Sequence, residues 1–269
     1  MIFEQSQRGF TLVEVLIGLL AASVVAYAAM SLYITQHKEM VVQDQIADLQ
    51  SNVRAAAEVM AKAARMAGHN LIGDLSAIET CDSNPDTIVI TYDSGSLINV
   101  RLEQVMPQLT SDLNCQDHDL SNLQENSTVY IYDAVTGDGE FFLASRTLTA
   151  PSRIRHDTMP LTRFYPVGSV IRSINRIRFY VDQSDPEHPN LMFQSFGTNP
   201  VVFAENIIDL NFRYYMENGS IVTQTATPQD IRMVEIDVVG RTDSPDDEFF
   251  TDYRTRNFTL RVKVRNLDL

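Results

Sequence analysis

Apolar residues fall into two regimes along the chain. From Phe10 to Ile34 a 25-residue stretch carries a single charge, Glu14. At 1.5 Å rise per residue a helix of that length spans a bilayer with some tilt. The apolar signal then narrows instead of stopping. Val42, Ile46, Leu49, Val53, Ala56, Met60, Ala63 and Ala67 recur at steps of four and three, the stripe of one continuing helix. Gly68 and Asn70 read as its C-terminal stop, so a single rod about 87 Å long runs from Phe10 to about Ala67.

Beyond Gly68 the period changes from helical to alternating. Thr87–Tyr92 and Leu97–Val100 flank Asp93-Ser94-Gly95-Ser96 and predict a hairpin. Val129–Tyr132 and Phe141–Leu143 flank a Gly-Asp-Gly turn, and Arg176–Val181 and Leu191–Phe196 enclose a Pro/Asp/His loop. Ile208, Leu210, Phe212 and Tyr214 form one apolar face, followed by an Asn218-Gly219 turn; Val234, Ile236 and Val238 form another. In the last strand Phe258, Leu260, Val262 and Val264 face opposite to Thr259, Arg261, Lys263 and Arg265. Such faces need a cover, and the stripe from Val42 to Ala67 supplies one. The predicted class is α+β: a long N-terminal helix, membrane-spanning in its first half, packed on the antiparallel sheet of a globular head.

Charge narrows the partners. The formal net charge is −14, and the first 67 residues hold 5 Lys/Arg and 6 Asp/Glu, so −13 of it belongs to the head. An acidic head argues against a nucleic-acid backbone as partner. Two cysteines, Cys81 and Cys115, lack the short spacing of a metal or redox motif. If the head lies outside the cytoplasm, a disulfide between them is the favoured reading, contributing about 3–4 kcal/mol; the alternative is two free thiols in a reducing compartment.

The start of the chain is the most specific signal. A cleaved secretory signal with an A-x-A site at Ala26-Tyr27-Ala28, or a plain anchor, leaves Glu14 unexplained, since a carboxylate in lipid costs a few kcal/mol. The run Arg8-Gly9-Phe10-Thr11-Leu12-Val13-Glu14-Val15-Leu16-Ile17 resembles the N-terminal motif of type IV pilins and pseudopilins. The resemblance implies a leader over residues 1–9, cleavage by the prepilin peptidase between Gly9 and Phe10, and N-methylation of Phe10. It implies a transmembrane half over 10–34, an extracytoplasmic half over 35–68 and a β-rich head over 69–269. Glu14 becomes the residue that neutralises the new α-amine during assembly. Leu161–Gly168, Ala204–Leu210 and the closing Tyr253–Asn266 segment are similar to PilW-type minor pilins. Expected partners are other major and minor pilins or pseudopilins and the inner-membrane assembly platform, with location first in the bacterial inner membrane and then in the filament. A minor pseudopilin of a secretion or DNA-uptake machine shares these features, and a filament-tip adhesive or Ca²⁺-binding module is a further alternative.

Apparent chemistry elsewhere has plainer readings. Asp133, Asp138 and Glu140 cluster around glycines as oxygen ligands for Ca²⁺ would, but the spacing is not that of an EF-hand and the same residues make turns. Arg153, Arg155, Arg163, Arg172, Arg176 and Arg178 read as partners for the abundant acids. Five dispersed histidines and the absence of HExxH, GxSxG or P-loop spacing point to no enzyme and no cofactor.

Overall fold

The computed structural model describes residues 11–73, 75–116, 118–149, 151–156, 159–246 and 253–267. Among them one α-helix, α1 (Leu12–Met66), precedes fifteen strands. The chain divides into two compact units, one up to Asp48 and one from Leu49 onward.

The first unit is the leading part of α1. Apolar and small residues without a helix breaker keep residues 12–34 helical, and every one of those side chains is exposed. This is the one described helix long and apolar enough to cross a membrane.

In the second unit α1 buries Leu49, Val53, Ala56, Ala57, Met60, Ala61, Ala63 and Ala64. From Leu49 onward the buried surface is therefore wider than the predicted stripe, adding Ala57, Ala61 and Ala64. Alanines along this face let strands approach from more than one direction. On the facing strand Gly240 does the same: a Cβ there would meet Leu49 Cδ1 at 2.6 Å and Val53 Cγ2 at 2.7 Å. The helix ends at Gly68, whose φ of +79° suits a residue without Cβ. The Asn266 side-chain amide donates to the carbonyls of Arg65, Met66 and Ala67 at 3.3–3.4 Å, tying the far end of the chain to this terminus.

Three antiparallel sheets complete the unit. The largest uses β1 (Ile78–Cys81), β2 (Thr87–Asp93), β9 (Val170–Asp182), β10 (Asn190–Ser195) and β11 (Val201–Glu205) in that order. Two further strands, β3 (Val100–Arg101) and β5 (Ser127–Tyr132), also pair with β9, and β6 (Gly139–Ala144) pairs with β5. The second sheet runs β13 (Ile221–Val222), β12 (Ile207–Met216), β14 (Ile231–Arg241), β15 (Thr255–Lys263). The third runs β4 (Leu113–Asn114), β8 (Ser152–Arg155), β7 (Arg146–Thr149).

Two hydrophobic cores result. The first joins α1 to Ile88, Ile90, Ile177, Phe179, Leu210, Phe212, Tyr214, Ile236 and Val262 from the two larger sheets. Asp86 links those sheets: its carboxylate accepts from Phe212 N at 2.9 Å and Ser83 N at 3.0 Å, and its own N–H donates to the Leu210 carbonyl at 2.8 Å. The second core packs Leu97, Leu102, Met106, Leu120, Leu123, Phe142 and Ile154 among β3–β8 and their loops. The α+β class predicted from periodicity is the class observed.

Two expectations change. Thr87–Tyr92 does not form a hairpin with Leu97–Val100. Instead β2 pairs with β1 and β9, and Val100 pairs with Ile171 of β9. Leu97 is fully buried in the second core, and that burial draws the segment away from β2. In β12 the inward face is Ile207, Leu210, Phe212 and Tyr214, because a bulge between Ile207 and Asp209 turns Ile208 outward. The predicted pairings of Val129–Tyr132 with Phe141–Leu143 and of Arg176–Val181 with Leu191–Phe196 form, the first extended back to Gly139 and the second ending at Ser195.

Candidate assembly site

The start of α1 is built as a reciprocal cap. Thr11 precedes the first helical residue; its hydroxyl oxygen accepts from Glu14 N at 3.3 Å. One Glu14 carboxylate oxygen accepts from Thr11 N and from the Thr11 hydroxyl, each at 2.9 Å. This is a capping box, Thr-x-x-Glu, satisfying helix-start donors that would otherwise have no partner. The Thr-x-x-Glu spacing is plain in the sequence and gives Glu14 a local role beside the counter-charge that the resemblance implies. Negative charge at this position also complements the helix dipole. Gly9 and Phe10, the expected cleavage positions, lie outside the described residues.

Behind this polar start, Leu12, Val13, Leu16, Ile17, Leu19, Leu20, Val24 and Val25 are each more than half exposed. An apolar surface of that extent is stable only when lipid or other apolar helices cover it. Tyr33 and His37, with rings stacked 6.1 Å apart, mark the change to polar sequence. The geometry suits insertion and bundling, with one carboxylate placed at the entry of the helix.

Other predicted sites resolve differently. The Cys81–Cys115 bridge is not formed: both thiols are free. Cys81 is exposed at the end of β1, whereas Cys115 is fully buried in the second core. Spacing in sequence carried no information on that separation. Burial, with Glu103 nearby, pushes the Cys115 thiol up to about 12, and the thiol donates weakly to the Leu113 carbonyl at 3.6 Å.

The carboxylates considered for Ca²⁺ serve the β5–β6 turn. Asp133 accepts from Val135 N at 2.9 Å and from the Thr136 hydroxyl at 3.1 Å. Asp138 pairs with Arg163 at 2.5 Å, and both Glu140 oxygens accept from Thr162 N. Among the described residues no group of three His, Cys, Asp or Glu side chains is placed to hold a metal ion. Arg155 and Arg176 also find acids, Asp112 at 3.1 Å and Glu79 at 2.8 Å.

One charged constellation was not anticipated. On the outer face of the four-stranded sheet, Arg213, Glu235 and Arg261 stand opposite one another on β12, β14 and β15. Glu235 is almost wholly buried, accepting from Arg261 Nε at 2.5 Å, Arg213 Nη1 at 2.8 Å and the Tyr215 hydroxyl at 2.9 Å. These bonds, that from Arg261 foremost, hold its carboxyl below the usual range. Strand alternation alone gives the outward direction of these side chains but not the register that aligns them.

Comparison with known proteins bears on the start of the chain. Residues 5–30 match the prokaryotic N-terminal methylation motif, a span that includes Gly9, Phe10 and Glu14. None of the curated proteins compared with the chain matches it. Among solved structures, a type IV-like pilin from Thermus thermophilus is similar at 10% identity and a TM-score of 0.38, covering 82% of this chain and 98% of that one. The start of this chain is thus a prokaryotic N-terminal methylation motif, and it leads into an exposed apolar helix long enough to cross a membrane.

Proposed function

We propose that the protein is a minor pilin of the PilW type, a structural and priming subunit of a type IV pilus rather than an enzyme. The methylation motif at residues 5–30 carries this reading, because it leads directly into residues 12–34 of α1, whose apolar side chains all lie open. The prepilin peptidase cuts between Gly9 and Phe10 and methylates Phe10. Residues 10–34 hold the subunit in the inner membrane, with the head outside the cytoplasm, until the assembly platform passes it into the filament. Bundling with other pilins then covers the apolar helix.

In this reading Glu14 has two roles at once. Its carboxylate caps its own helix through Thr11, and it offers a counter-charge for the methylated amine of Phe10 one residue before that cap. Because Thr11 fixes the carboxylate in place, little side-chain entropy is lost on pairing.

The test is the mass of the protein extracted from membranes together with its partners. A chain beginning at methylated Phe10 and co-isolated with pilins is the expected result. A start after Ala28, or an intact Met1, overturns the reading. Co-isolation with secretion or uptake pseudopilins in place of pilins assigns the same helix chemistry to a pseudopilus.

A further inference from the structure

Between Phe141 and Val181 the sequence holds 7 arginines against one acid, in a chain of formal charge −14. Acids from other segments neutralise three of them, as Arg155–Asp112, Arg163–Asp138 and Arg176–Glu79. On the outer face of the largest sheet, however, two arginines share a face while a single carboxylate, Glu79, pairs with just one of them, Arg176. Val89 of β2, Arg178 of β9 and Gln194 of β10 are opposite one another, and Arg176 lies two residues along β9 on the same face. These residues, with Phe196 and the turn at Gly197, line an open cleft of about 170 Å³.

Both arginines are held before any partner arrives. Arg176 gives Nη2 to the two Glu79 oxygens at 2.8 and 2.9 Å, and its guanidinium lies 5.3 Å from the centroid of the Phe141 ring. Phe141 in turn packs on Phe196, with ring centroids 5.1 Å apart. Arg178 stacks 4.5 Å from the centroid of Tyr180 and is exposed; among the described residues no carboxylate pairs with it. Stacking orders the guanidinium plane without using its N–H donors. The cleft thus combines a net positive charge, an apolar floor and arginines whose ordering cost is already met, the features of an interface anchor.

We propose that this cleft receives an aspartate or glutamate side chain of a neighbouring filament subunit, with Arg178 as its principal donor and Arg176 at its side. The proposal rests on the reading of the chain as a filament subunit. Its volume fits one acidic side chain and not a run of phosphates, and the acidic remainder of the chain repels a polyanion.

The test uses the full chain, produced with its filament partners and carrying a photo-reactive amino acid in place of Gln194. The expected product is a cross-link to a peptide of a neighbouring subunit that contains Asp or Glu. Arg178→Glu lowers its yield by roughly tenfold, the order expected when an interfacial ion pair becomes a like-charge contact. Arg178→Lys retains most of it, and changing the partner acid to Arg restores yield in the Arg178→Glu background. A cross-link indifferent to charge at 178, one to a peptide without an acid, one to nucleic acid, or no cross-link from a processed and incorporated chain overturns the cleft assignment alone. A chain that is neither cut at Gly9 nor incorporated overturns the filament reading and the cleft with it.

Discussion

The two cores of the head bury similar kinds of side chain but assemble them in different ways. The first is made by regular elements: one helix face and the alternating faces of β2, β9, β12, β14 and β15. The second takes much of its volume from irregular chain, with Leu97, Leu102, Met106, Leu120 and Leu123 arriving from loops around short strands. Regular elements repeat an apolar residue at a fixed interval, so the geometry that buries them is written into the spacing. Loops place a single side chain by the path of the whole segment. Strand β9 belongs to both, with Ile171 in the second core and Ile177 and Phe179 in the first.

That shared strand makes the contrast testable. Phe212 is fully buried at the centre of the first core, and Phe212→Ala should cost about 3–5 kcal/mol, read from denaturant unfolding of the detergent-purified chain. A loss below about 1 kcal/mol would mean that the first core is not the main support of the head. Leu123→Ala in the second core should cost somewhat less, about 2–3 kcal/mol. Hydrogen exchange should then rise over residues 97–155 more than over β12 and β14. Equal acceleration in both regions would show that β9 fuses the cores into one cooperative unit.

Smaller effects concern the polar features that distinguish the two regions. Glu235 has its carboxyl pKa lowered by Arg261, Tyr215 and Arg213, so its contribution is present above the ordinary glutamate value of 4.5 and is lost as pH falls through the lower folded value. Glu235→Gln should therefore cost about 2 kcal/mol at neutral pH, and the gap from wild type should close on acidification. A constant gap in melting temperature between pH 7 and pH 3 would remove the ion pairs from the explanation. The smallest effect is chemical. In the native chain at pH 8 an alkylating reagent should modify Cys81, while Cys115, whose thiol is pushed up to about 12, should react only after unfolding. Recovery of a Cys81–Cys115 peptide from exported protein would instead mean that the second core rearranges.

The sequence by itself determined the elements whose information is local. The apolar run from Phe10 and the stripe through Met60 specify α1, with Gly68 as its stop. Alternation specifies β12, β14 and β15, and the run from Arg8 to Ile17 identifies the N-terminal signal as one resembling that of pilins. Thr11 and Glu14 also carried their capping relation in plain spacing. Tertiary structure decided everything that depends on distant segments meeting. It sent Leu97 into the second core rather than into a hairpin, held Cys81 and Cys115 apart, and aligned Arg213, Glu235 and Arg261 across three strands. The physical reason is common to all three. Backbone propensity and side-chain period act over a few residues, whereas register, partner choice and burial of isolated side chains follow from packing between segments far apart in sequence.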